Sequence, residues 1–234
     1  MQELDESVSL FFGDALPFED SFVYPLTIGE IKKLEFSNFY TILQLLIADE
    51  NDLETIPEHM VVYPFDIFYS NIVYSQDLSF TEKIFDFLKG VFRVEYIMLK
   101  DDYICVGDNI TLHIHNYDAF VEIIKKQYCI KKEVKKQRTE GQKEYDRMLA
   151  EKRKKYAKWI EDESEDITDL MSSICAIHPT INSQNIQDLT VYYLINQFKR
   201  IMKRDDYFIG IKSLLAGASS KDVKIVHWSK KIVS

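Results

Sequence analysis

The chain has 234 residues, 46% of them apolar and 29% charged, enough to bury a sizeable core and too apolar for a wholly disordered protein. Only seven glycines and five prolines occur, which argues against turn-dense barrels, sandwiches and Gly-loop nucleotide folds and favours helices. The formal net charge of −9 is unevenly spread: residues 1–90 hold 4 Lys/Arg against 17 Asp/Glu, whereas residues 131–162 hold 12 against 7.

Residues 1–26 carry Phe11, Phe12, Phe18, Phe22 and Tyr24 among Gly13, Pro17, Pro25 and several acids, and are expected to form an extended lead-in. A helix is expected from Thr27-Ile28-Gly29-Glu30, a capping box in which the hydroxyl accepts from the third amide and the carboxylate reaches back. Ser37 is expected to cap the next helix, with Phe39, Ile42, Leu43, Leu46 and Ile47 on one buried face. Pro64 suits the first turn of a helix running to about Tyr74. Ser79-Phe80-Thr81-Glu82 reads as another capping box, with Gly90 at a left-handed helix end.

From Val91 the alternation of Phe92, Val94, Tyr96 and Met98 with Arg93, Glu95, Ile97 and Leu99 predicts a strand. Lys100-Asp101-Asp102 reads as a turn, followed by strands Tyr103 to Val106 and Ile110 to His115 around Gly107-Asp108-Asn109. The expectation is a three-stranded meander over about 91–115. Asn116 can cap a helix to about Tyr128, and Lys131 to Asp162 reads as a charged helix with sparse apolar points.

In the C-terminal part, Ile167, Leu170, Met171 and Ile174 line one helix stopped before Pro179. Ile186, Leu189, Tyr193, Leu194 and Phe198 line a second, ending in Lys199, Arg200, Lys203 and Arg204, and Tyr207 to Ala216 form a third. Residues 216–220 read as a flexible break, and Val223, Ile225, Val226, Trp228 and Ile232 as an apolar tail that must dock somewhere. The fold class is therefore mainly α with a small antiparallel β meander (α+β). Its parts are an N-terminal helical unit over 1–130 containing the meander, a charged connecting helix over 131–162 and a C-terminal helical unit over 163–234.

Chemical signatures are sparse. His113 and His115 share a strand face, but a two-residue hairpin loop at Asp108-Asn109 would set Cys105 opposite Leu112 and turn the nearest thiol away; only a longer loop would bring it back. Cys175 and His178 lie three apart on a helix, where a core thiol beside a terminal imidazole is the simpler reading. The acid pairs Asp101-Asp102, Asp162-Glu163 and Asp205-Asp206 stand where turns and helix starts favour acids. There is no Walker loop, no G-x-G-x-x-G and no G-x-S-x-G turn. The expectation is a non-catalytic protein with no cofactor and no metal. Three widely spaced cysteines, no apolar run of membrane-spanning length and an acidic start point to reduced thiols and a cytosolic protein with no membrane contact.

Tyr24-Pro25-Leu26-Thr27-Ile28-Gly29-Glu30-Ile31, the apolar helix Phe39 to Ile47 and the acidic Ala48-Asp49-Glu50-Asn51-Asp52-Leu53 resemble the start of tail assembly chaperones from phages of low-GC Gram-positive bacteria. The later part is similar too: Glu151-Lys152-Arg153-Lys154, Asp188-Leu189-Thr190-Val191-Tyr192-Tyr193-Leu194, Gln197-Phe198 and His227-Trp228. The resemblance implies an assembly factor in the bacterial host cytoplasm that coats the tape measure protein and helps recruit tail tube subunits, with no catalytic residues. The predicted strands at 91–115 depart from that pattern.

Candidate partner contacts are Phe11, Phe12, Phe18 and Phe22 in the lead-in and Tyr145, Tyr156 and Trp159 on the charged helix. Pairing of that basic arm with the acidic N-terminal half of another copy would give a homo-oligomer. Two alternatives remain open: a structural virion protein of the tail-completion or baseplate kind, and a nucleic-acid-binding regulator using 131–158. The seven acids among the twelve cations make nucleic acid the weaker of these.

Overall fold

The structure is a computed structural model and describes residues 2–48, 62–130, 167–219, 223 and 225–230. The fold is mainly helical with two small antiparallel sheets. The predicted charged helix 131–162 lies outside the described residues, as do Tyr145, Tyr156, Trp159 and Ile232. Among the described residues, no helix is long and apolar enough to cross a membrane.

The expected extended lead-in is instead a helix and a hairpin. Helix α1 spans Gln2–Phe12, and strands β1, Leu16–Phe18, and β2, Ser21–Val23, pair with Leu16 opposite Val23. Burying Leu10, Leu16, Phe18 and Val23 orders this stretch, and the spacing of Leu4, Val8 and Phe11 is the helical period that the expectation passed over. Gly13 ends α1 with φ of +75°, and a Cβ there would stand 3.0 Å from the Thr190 methyl.

Helix α2, Ile28–Leu34, has the expected capping box: the Thr27 hydroxyl accepts from the Glu30 amide and the Glu30 carboxylate accepts from the Thr27 amide. Helix α3 spans Phe36–Ile47. Its cap position is Glu35 with φ of 70°, not Ser37, so the two helices join at a single left-handed residue. Helix α4 is Pro64–Val73, with Pro64 in its first turn as expected.

Helix α5 runs Leu78–Phe92 from Asp77, whose carboxylate accepts from the Phe80 amide, so Ser79 lies inside the helix rather than capping it. The predicted strand from Val91 is also corrected. Ile84, Phe87, Leu88, Val91 and Phe92 form one buried helical face, and Arg93, with φ of 56°, is the left-handed end that had been assigned to Gly90. Gly90 is small for another reason: a Cβ there would meet the Leu26 side chain at 2.8 Å.

Strands β3, Ile97–Lys100, β4, Tyr103–Val106, and β5, Ile110–Leu112, form the expected meander in sequential order. The second loop holds three residues, so Cys105 pairs with Thr111 and not with Leu112. The last strand stops at Leu112 because the Asn116 side chain accepts from the His113 amide and donates to the Thr111 carbonyl, turning the chain into helix α6, Tyr117–Gln127.

Helix α7 spans Ile167–Ile177. A 3-10 turn at Ile186–Asp188 follows, and then helix α8, Val191–Leu215, where two helices had been expected. Thr190 caps α8 through the Tyr193 amide, which leaves Ile186 and Leu189 ahead of it. Asp205 and Asp206 lie mid-helix, with Asp205 paired to Arg204, so the helix runs on through them. The tail does dock: the Arg200 guanidinium donates to the carbonyls of Trp228 and Lys230, His227 stands edge-on to Tyr207, and Val223 and Ile225 pass over Gly210.

The buried side chains form one continuous cluster from Leu10 in α1 through Phe39, Phe68, Phe87 and Phe120 to Ile174 and Leu194. The two ends of the chain meet at a seam where Thr27 and Thr190 form a backbone bridge and the Ile28 amide donates to the Leu189 carbonyl at 2.9 Å. Gly13→Ala puts a side chain on a left-handed backbone against Thr190. It is expected to cost about 1 kcal/mol or more, read as a melting point lower by about 2–4 °C; an unchanged melting point would contradict the packing described.

Candidate partner-binding groove

Three helices and the segment after α6 leave an apolar groove of about 440 Å³ between the N-terminal body and the C-terminal helices. One wall is the edge of α3, with Phe39, Tyr40, Leu43, Gln44 and Ile47 at helical spacing, continued by Tyr128 and Ile130 after α6. The other is Ile167, Asp169, Leu170 and Ser173 of α7 with Val191, Ile195 and Phe198 of α8, one turn apart along its face. Its size is within the range of binding clefts, and a few polar groups line an otherwise apolar trough.

The wall at Tyr128 is rigid. Its ring meets Phe39 edge-on at 5.1 Å, and its hydroxyl accepts from the buried Leu26 amide at 3.1 Å. Burial pushes this phenol far above its ordinary range, only partly opposed by the Leu26 hydrogen bond, so it stays neutral at any physiological pH. Behind it Arg93 forms a forked pair with Glu30 and lies over the Tyr24 ring. Burial tends to raise the Glu30 carboxyl, but hydrogen bonds from Arg93 and the Thr27 amide, together with the Arg93 charge, hold it below its ordinary 4.5. A depressed carboxylate contributes stability that is full above 4.5 and lost as pH falls through the lowered folded value. Glu30→Gln is therefore expected to be less stable than the parent at neutral pH, with the gap closing only below pH 4.5; a pH-independent gap in urea denaturation would contradict this.

The sequence-derived contacts do not converge on the groove. Phe18 is buried between Phe92 and Phe120 and is withdrawn from the surface. Phe11 packs its ring on Tyr193 at 5.2 Å, tying α1 to α8. Phe12 is 73% exposed and Phe22 51% exposed, so these two remain surface aromatics. Phe198 was missed as a contact because it fits a helix face that reads as core, and Tyr40 and Ile195 were assigned to no face; the half-exposed Tyr40 beside buried Phe39 marks the edge.

The other candidates take structural roles. His113 and His115 face each other at 5.7 Å in the turn after β5, beside Asp66, Tyr69, Asp101 and Asp102. The three-residue loop returns Cys105 to the Thr111 side of the sheet. Even so, among the described residues no group of three or more His, Cys, Asp or Glu is placed to hold a metal. His178 lies just past α7, where its Nδ1 accepts from the Thr180 and Ile181 amides and so ends the helix.

A family model matches one of the two walls. Residues 152–233 match the YomV second domain. The matched segment includes α7, α8 and the tail but not α3 or α6, so the groove lies where it meets the rest of the chain. The match suggests a phage-derived protein. No curated protein and no solved structure matches the chain.

Proposed function

We propose that this chain is a non-catalytic phage tail assembly chaperone that holds amphipathic helices of the tape measure protein in the groove and helps recruit tail tube subunits in the host cytoplasm. The observation that carries the reading is the apolar groove between α3 and α8, one wall of which belongs to a phage-related domain family. A tape measure protein presents long apolar helical stripes that aggregate until the tail is built, and a trough rimmed by the half-exposed Tyr40, with Ile195 and Phe198 across from it, can take part of such a stripe from water. Phe12 on α1 and Phe22 on the hairpin are further exposed aromatics that a second subunit could contact.

The test is co-expression with the tape measure protein of the same genome, followed by pull-down. The expected result is a soluble complex, with Tyr40→Asp and Ile195→Glu each weakening it about tenfold or more while the circular dichroism of the chain is unchanged. A tape measure protein that still precipitates, or capture indifferent to both substitutions, would overturn the proposal.

A further inference from the structure

The second half of α8 carries an apolar surface that nothing described in the structure covers. The docked tail occupies one side of the helix, at Arg200, Tyr207 and Gly210. On the other side Met202, Phe208, Ile209 and Leu215 are all exposed, Leu215 by 83%. At about 100° per residue these four lie within an arc of roughly 140°, with Asp205 and Lys212 along its middle. The stripe extends over about 20 Å of helix.

The order of residues in this stripe is self-complementary. Two copies laid antiparallel about a two-fold axis between Phe208 and Ile209 set Asp205 opposite Lys212 twice, and bring Phe208 beside Phe208 on one flank and Ile209 beside Ile209 on the other. Phe208 and Ile209 then each meet their own counterpart across the axis, Met202 and Leu215 extend the two apolar flanks outward, and both charges at the centre face their opposites. A parallel pairing would set Asp205 on Asp205 and Lys212 on Lys212, which like-charge repulsion disfavours. The existing partner of Asp205 is its exposed neighbour Arg204 at 3.3 Å, a surface pair weak enough to leave the carboxylate available to Lys212 of a second copy.

We infer that the exposed face of α8 from Met202 to Leu215 is a homodimer interface, occupied by the same face of a second copy in antiparallel register. Two short helices bury an area at the small end of stable interfaces, so the dimer dissociates on dilution. Ile195 and Phe198 of the groove lie on the same side of α8 as Met202 and Ile209, which makes a foreign helix running along α8 the competing occupant. The central Asp205 and Lys212 favour the second copy, because a foreign helix would have to repeat this charge order in reverse. The inference concerns the purified chain alone and does not depend on the groove reading.

Sedimentation of the full chain across micromolar concentrations tests it. The unsubstituted chain is expected to pass from monomer to dimer, Asp205→Lys and Lys212→Asp each to raise the dissociation constant about tenfold or more, and the double exchange to restore it. Ile209→Glu, at a solvent-facing position that leaves the helix intact by circular dichroism, is expected to remain monomeric. A monomer at every concentration, a dimer unmoved by Asp205→Lys and Ile209→Glu, or a double exchange that fails to restore pairing would each overturn the inference.

Discussion

The seam at Thr27 and Thr190 sets the rest of the molecule. Two helices begin there side by side, each capped by its own threonine, and the Ile28 amide reaches across to the Leu189 carbonyl. A helix start carries amides with no partner inside the helix, and the cross-chain bond gives the first amide of α2, that of Ile28, its partner in the Leu189 carbonyl while it ties the two starts together. The turn at Gly13 closes on the same point, beside the Thr190 methyl. With α8 held here at its first turn, Val191, Ile195 and Phe198 must face α3, and the groove is the space their side chains do not fill.

This arrangement gives one long helix two environments. Its first half is half-buried against α1, α6 and α7, and the ring of Phe11 on Tyr193 belongs to that packing. Its second half has the tail on one flank and solvent on the other. An apolar face that begins in a groove and continues into water is costly for a lone monomer and useful to a protein that spends its working life against other polypeptides. The proposed chaperone activity and the inferred dimer use different stretches of that face.

Much of the architecture was legible where one local signal had one meaning. The Thr27 box, Pro64 at a helix start, the Asp101-Asp102 turn and the glycine loop before Ile110 each appear as read. Readings failed where two patterns overlapped. Val91 and Phe92 alternate like a strand only because the last buried positions of α5 run straight into β3. Asp205-Asp206 looks like a fresh helix start, yet the apolar positions on either side continue one helix through it. In residues 1–26 the helical spacing of Leu4, Val8 and Phe11 was masked by the glycine, prolines and crowded aromatics that follow it, although Phe11 uses that spacing to reach Tyr193. The groove was hidden because Phe39, Leu43 and Phe198 each read as core, and only docking of two distant segments shows that some of them border a trough.

The N-terminal body and the C-terminal helices form one cooperative unit, and native-state hydrogen exchange measures that directly. The amides of Leu26, bonded to Tyr128, Ile28, bonded to Leu189, and Leu194, bonded to Thr190, sample the body, the seam and the start of α8. If the seam joins them, all three exchange through one shared opening with the same dependence on denaturant. Rapid exchange at Ile28 and Leu194 while Leu26 stays protected would mean that the C-terminal helices detach on their own, and the groove as described would not persist.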